Sequence, residues 1–271
     1  MKIGVTLRNM GPQSTREMMS ECCLQAEKIG FDSIWITDHI AIPPDNAEGS
    51  GGRYTDPLTT LAWLAGMTQS IFLGVGVLIA PYRAALPTAK QIATVQELSN
   101  NRLLLGIAVG WMDAEFKALG IDRHQRGKVT DETLTVLEQC FENDVVKLNN
   151  QEFIFSPRPT APPIYIGGSV KHAPKRAAKF GHGWLPMTKS PEALARDIET
   201  FHQLATDQGV EPGPVAAMTS IPLDNFDAAK SMIKDYQLLG IERLICSVKY
   251  ANADEYNSQL ERLAAVALKT I

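Results

Sequence analysis

The chain of 271 residues is 45% hydrophobic and 21% charged, with a formal net charge of −4. This balance supports a substantial core, excludes a disordered chain, and leaves no basic excess for nucleic acid or an anionic membrane surface. Length alone suits one large α/β barrel or two ordinary domains.

Taken in order, strand-like and helix-like segments alternate. The apolar run 2–7 predicts a strand that leads through Gly11-Pro12 to Ser14-Thr15-Arg16-Glu17, where Ser14 and Glu17 predict a capping box. Met19, Cys22, Cys23, Ala26 and Ile29 give the following helix one apolar face, and Gly30 ends it. A strand at 33–37 runs into Asp38-His39. The stretch 41–55 is rich in Gly, Pro and Ser and exceeds the ~12 residues above which connections are uncommon, so 43–54 is a candidate lid, with an inert surface loop as the alternative. Asp56-Pro57 marks a helix start by its N-cap and first-turn proline. Strand and helix pairs follow at 71–79 and 86–99, 102–109 with 112–119 and 125–140, 164–166 and 172–180, 184–187 and 191–208, 215–221 and 226–239, and 243–248 and 254–269. Eight such pairs with no linker between them predict an α/β fold, a single (β/α)8 TIM barrel with insertions, filling 1–271 as one domain. The irregular insertion is 143–163, with a short extended piece at Phe153-Ile154-Phe155.

The four cysteines form no CxxC, and no histidine sits at ligand spacing, so no metal site is expected and buried thiols in a reducing compartment are. The first residues lack the basic and apolar regions of a secretory leader, and no apolar run approaches the ~18 residues of a membrane span. A soluble cytoplasmic protein is the expectation.

In a parallel barrel the carboxyl ends of all strands converge on one mouth, and here those ends carry glycine, aromatic or lone polar residues. Asp38-His39 offers a proton carrier beside a carboxylate, or else a capping acid and a surface histidine. Gly74-Val75-Gly76-Val77, inside a strand, suggests a bulge or strained peptide behind a flat ligand, or close packing within the barrel. Trp111 and Trp184, each after a glycine, suit aromatic walls or plain packing. Gly167-Gly168-Ser169 before a helix presents amides and a hydroxyl suited to phosphate or carboxylate, with Lys171, His172, Lys175 and Arg176 adding positive charge, or is simply a turn. There is no GxGxxG, Walker loop, GxSxG elbow or paired-carboxylate signature. With no self-sufficient nucleophile in view, the chemistry points to an organic cofactor.

The segments 30–39 (GFDSIWITDH), Asp56-Pro57, 73–81, 93–110 with the LSNNRLLLGIAVGW run, 115–120, Arg126-Gly127, Asp131-Glu132 and 162–186 form an ordered set. Together they resemble the bacterial luciferase-like family of flavin and deazaflavin oxidoreductases, and the deazaflavin-type branch more than luciferase subunits. The resemblance implies a TIM barrel that binds FMN or the deazaflavin F-420 at its carboxyl face, for hydride transfer or monooxygenation of a small organic substrate. It further implies His39 as the catalytic residue beside the ring's reactive edge, with Asp38 next to it. Gly76-Val77 matches the strained peptide, open to the cis form, that backs the ring. Gly110-Trp111-Met112 matches a wall, Gly167-Gly168-Ser169 the phosphate segment, and Trp184 a further cofactor contact. A homodimer and a separate flavin or F-420 reductase as partner come from the same resemblance. Two departures stand out: His182-Gly183-Trp184 where the family commonly has Asp-Gly-Trp, and a trimmed 143–163 segment that alters the substrate enclosure. The other functional classes are a non-catalytic flavin-binding protein on the same barrel, and a sugar-phosphate isomerase or aldolase, for which only Lys249 lies at a suitable strand end.

Overall fold

A computed structural model describes residues 1–180, 182–186 and 190–268. The barrel strands are β1 (Lys2–Thr6), β2 (Ser33–Ile36), β3 (Phe72–Ile79), β4 (Leu103–Ala108), β7 (Ile164–Gly168), β8 (Gly183–Pro186), β9 (Ala216–Thr219) and β10 (Arg243–Cys246), with β5 (Val145–Leu148) and β6 (Gln151–Ile154) outside the ring. The eight are parallel in the order β8-β7-β4-β3-β2-β1-β10-β9, and a parallel bridge from Trp184 to Val215 brings the two ends together. Around them lie α1 (Arg16–Ile29), α2 (Pro57–Ala65), α3 (Ala85–Leu98), α4 (Asp113–Ala118), α5 (Arg126–Glu142), α6 (Ala173–Lys179), α7 (Pro191–Asp207), α8 (Phe226–Leu238) and α9 (Ala253–Ala267). The expected (β/α)8 barrel is what the chain forms. The expected strand end at Met187 and helix end at Lys269 lie outside the described residues.

Side chains alternate along each strand, so one set faces the helices and the other the barrel axis. Ile34, Ile36, Leu105, Ile107 and Ile166 pack in the outer layer, while Trp35, Leu104, Tyr165, Leu185, Ala216 and Ile245 fill the interior. Trp35 takes so much of that interior that neighbouring strands carry glycine beside it. A Cβ on Gly74 would lie 2.4 Å from the indole, and one on Gly4 2.9 Å from its Nε1.

Two local expectations need correction. The N-cap of α1 is Thr15, which accepts the Met18 amide at 3.2 Å, rather than Ser14. Ser14 is instead buried, donating to the Gly11 carbonyl at 2.7 Å and accepting from Arg53 Nε at 2.8 Å. Within the 143–163 insertion the expected extended piece is the second strand of an antiparallel hairpin over 145–154: Val145 pairs with Ile154 and Leu148 with Gln151 across Asn149-Asn150, whose φ values are +50° and +63°. Asparagine tolerates that left-handed pair, which matches the twist of a tight hairpin. Gly30 does end α1 in the left-handed region, and Asp56 does cap α2 through the Thr59 amide.

Glu27, in the last turns of α1, accepts the amides of Gln69, Ser70 and Ile71 at 2.7–3.0 Å and so fastens that helix to the start of β3. Burial raises its carboxyl, but the hydrogen bonds from Ser70, Ile71 and Gln69 outweigh this and hold it below the usual range. A folded-state value below the unfolded ~4.3 means stability that is full above that pH and is lost as pH falls through the folded value. Glu27→Gln is therefore expected to lower the urea midpoint at neutral pH, with the deficit shrinking as pH falls below the unfolded carboxylate range. A deficit that stays constant across that range would contradict this.

Among the described residues no helix is long and apolar enough to cross a membrane, and no three His, Cys, Asp or Glu side chains gather as a metal site. The four cysteines are buried thiols. Burial pushes those of Cys22, Cys23 and Cys246 up to about 12, where they are poor nucleophiles.

Candidate active site at the barrel mouth

Strand β3 sets the shape of the mouth. Its register against β4 runs Val75 to Leu105 and then Leu78 to Ile107, so Gly76 and Val77 together oppose the single residue Gly106. This is a bulge, which bends the strand and re-aims its side chains, and the Gly76–Val77 peptide within it is cis. Neighbouring strands make room: a Cβ on Gly106 would lie 2.5 Å from the Val75 carbonyl oxygen, and one on Gly167 2.6 Å from Val77 Cγ1. At the end of β4 the chain turns through Gly110, φ +78°, where a Cβ would meet Ile79 Cγ2 at 2.7 Å.

These residues enclose a cleft of about 360 Å³ lined by Gly76, Val77, Ile79, Ala108–Trp111, Gly167, Gly168, Leu185, Pro186 and Met218. Among the described residues no charged side chain lines it. A second pocket of about 330 Å³ shares Val109, Gly167 and Gly168 with the first and is lined beyond them by Ser169, His124, Arg126, His172 and Arg176. Arg176 is already paired with Asp131 at 2.5 Å, whereas among the described residues Arg126 donates to the Arg123 carbonyl alone.

The rim at the end of β2 holds two different acid contacts. Asp38 is buried and accepts Arg83 Nη1 at 2.6 Å, Arg83 Nη2 at 2.9 Å and the Ile79 amide at 2.9 Å. Arg83 continues to Asp56 at 2.8 Å. His39 turns the other way, with Nδ1 2.8 Å from Oε2 of Glu115, a fully buried carboxylate of α4. The His39 ring meets Tyr54 edge-on at 4.9 Å and Trp111 at 6.4 Å. Burial raises the Glu115 carboxyl, but hydrogen bonds from the Ala41 and Ile40 amides, His39 and Tyr82 outweigh it and hold the group below the usual range. Tyr54 ends the candidate lid, which is docked in this structure: Gly11 donates to the Arg53 carbonyl at 3.0 Å, Arg8 to Gly49 at 3.3 Å, and Met10 pairs with Tyr54.

Of the residues singled out from sequence, Gly76, Val77, Gly110, Trp111, Gly167 and Gly168 meet in the cleft, and Ser169 lines the basic pocket. His39 reaches the cleft through Trp111, which is 64% exposed there. Asp38 and Met112 are buried away from both pockets. Trp184 is not brought to the cleft: alternation along β8 turns Leu185 inward and Trp184 outward onto Phe201 of α7, and its Nε1 supports the Gly168 carbonyl from behind at 3.1 Å. Sequence reading passed over Glu115, Tyr82, Arg83, Leu185 and Met218. Period-two alternation along β8 is a signal that could have found Leu185, but no local pattern marks a buried glutamate on a helix.

A parallel (β/α)8 barrel with a flat apolar slot at its carboxyl mouth and a basic pocket opening from it is the class that fold and site define. The chain belongs to the luciferase-like monooxygenase family, whose model matches residues 1–266. It is 29% identical over 215 residues to the 5,10-methylenetetrahydromethanopterin reductase of Methanolobus tindarius, a match covering 76% of this chain but 61% of that longer protein. Among solved structures it is similar to an F420-dependent secondary alcohol dehydrogenase bound to an F420-acetone adduct, with a TM-score of 0.78, 17% identity and 98% of each chain covered. It is likewise similar to the oxygenating constituent of 3,6-diketocamphane monooxygenase of Pseudomonas putida in complex with FMN, with a TM-score of 0.80, 14% identity, and 100% and 99% of the two chains covered.

Proposed function

We propose that the protein is a cytoplasmic oxidoreductase that binds F-420 or FMN in this mouth and acts on a small organic substrate. The observation carrying this reading is the continuity of slot and pocket across Val109, Gly167 and Gly168. A flat ring lying against Val77, Leu185 and Met218 has only to extend past the glycines to place an anionic tail beside Ser169, His124, Arg126 and His172. The glycines fit this use, since a side chain at Gly110 or Gly167 would collide with Ile79 or Val77 and close the slot. The F420 and FMN complexes of the two structural relatives support the same two cofactors.

When bound, the ring supplies the hydride or, as FMN, the electrons for oxygen chemistry. The chain supplies the rest. Val77, Ile79, Leu185 and Met218 keep water from one side of the slot, Trp111 forms its outer wall, and His39 holds a proton at the rim where substrate enters. A homodimer through the barrel helices, and a separate reductase where FMN is used, belong to the same proposal.

Titration of the purified protein with F-420 and with FMN, followed by absorbance and fluorescence, tests this reading. One of the two is expected to bind in the micromolar range or tighter, and Trp111→Ala to weaken it about tenfold, the loss of ~1.4 kcal/mol of ring contact. Binding of neither cofactor would overturn the proposal.

A further inference from the structure

Glu115 gives up the cost of burying a charge for something specific. All four of its acceptor positions are filled: Oε1 takes the Ile40 amide at 2.6 Å and the Ala41 amide at 3.0 Å, while Oε2 takes the Tyr82 hydroxyl at 2.8 Å and faces His39 Nδ1 at 2.8 Å. A carboxylate with a low pKa is an acceptor only. Tyr82 is likewise committed, because burial and the neighbouring Glu115 push its phenol far above the usual range, so its hydroxyl keeps its proton and donates. The remaining contact, to His39, must then be filled by an N–H.

We infer that Glu115 is a positioning residue that fixes His39 as the Nδ1–H tautomer and thereby presents Nε2 to the mouth as the atom that takes and returns a proton. Nδ1 is occupied from below by α4, whereas Nε2, on the opposite edge of the ring, has no hydrogen-bond partner among the described residues. The ring is held in place by Tyr54 and Trp111, one from the candidate lid and one from the cleft wall. The same carboxylate grips the two amides that begin the loop after β2, so the proton carrier and the base of the lid share one anchor. A histidine held in this way behaves differently from a free one, since the group on one ring nitrogen decides the chemistry of the other. The inference rests on the proposed function for the use of His39 in turnover, but the tautomer itself does not depend on that reading.

The test is 15N NMR of the imidazoles in the cofactor-free protein, with His39→Ala to assign the His39 signals. In the unsubstituted protein at a pH where His39 is neutral, the proton is expected on Nδ1, and Nε2 is expected to show the shift of an unprotonated nitrogen. Glu115→Gln keeps the shape and the two backbone contacts through its carbonyl oxygen, but presents an NH2 to Tyr82 and His39. It is expected to move the proton to Nε2 and, in the loaded enzyme, to lower kcat by about 10²–10⁴-fold with little change in KM. Tyr82→Phe removes one hydrogen bond from Glu115 without touching His39 and is expected to leave the tautomer unchanged. A proton found on Nε2 in the unsubstituted protein overturns the inference even if Glu115→Gln does not fold, and so does an unmoved tautomer in a folded Glu115→Gln. If the tautomer shifts as stated while His39→Ala keeps full turnover, the positioning stands and the catalytic use of His39 in the proposed function fails.

Discussion

Arg83→Met is expected to destabilise the fold by about 3–5 kcal/mol, the range seen when one partner of a buried ion pair is removed. Asp38 is buried beneath the rim, and Arg83 grips both of its oxygens while itself only 13% exposed. Methionine replaces the aliphatic stem but not the guanidinium, and leaves the carboxylate with the Ile79 amide among the described residues. The change also releases Asp56, whose other oxygen caps α2, so the end of β2, the end of β3 and the start of α2 lose their shared tie. Urea unfolding of Arg83→Met against the parent reads this effect. Asp38→Asn added to Arg83→Met is expected to recover a large part of the loss, because the orphaned charge is then gone. A single-variant loss under about 1 kcal/mol would show that the pair is solvated rather than buried as described.

His39→Ala is expected to cut turnover by about 10²–10⁴-fold while the cofactor dissociation constant changes by no more than about threefold. The asymmetry follows from position: His39 is absent from the lining of the slot and contacts it through the Trp111 edge, so a cofactor ring in the slot does not lean on it. Its loss removes a proton carrier, not a wall. The measurement is reduction of a panel of small ketones and aldehydes by reduced F-420 without oxygen, or formation of oxygenated product from the same panel with reduced FMN and oxygen. Turnover within tenfold of the parent would place the proton elsewhere. No turnover in either protein, with the cofactor still bound, would favour a non-catalytic flavin-binding protein.

The barrel was legible because its signals are local and repeated. The strand runs are short and apolar, the longer helices such as α1, α7 and α9 are amphipathic over several turns, and Gly30 and Asp56-Pro57 mark boundaries by backbone preference alone. The hairpin at 145–154 was half hidden because only Val146 is fully buried in it, although Asn149-Asn150 carried the turn signal. At α1, Ser14 and Thr15 are chemically equivalent caps, and only the distant Arg53 decides which one is drawn into the loop.

The site divides along the same line. Gly76-Val77 and Gly167-Gly168 could be read from sequence because glycine in a strand is costly without a reason. Trp111 and Trp184 follow a glycine in the same way, yet one forms the cleft wall and the other packs on α7. Trp184 lies within β8, where strand phase turns it outward, whereas Trp111 lies past the end of β4, after the left-handed turn at Gly110. Glu115, Tyr82 and Arg83 act only after the ends of β2 and β3 meet α4 and α2, a contact between segments that no single stretch encodes.

The most direct test is a crystal structure of the protein with whichever of F-420 and FMN binds more tightly. The ring is expected against Val77 between Trp111 and Met218, with its tail running past Gly168 toward Ser169 and Arg126. A ring bound anywhere else, or a tail directed away from Ser169, would contradict it.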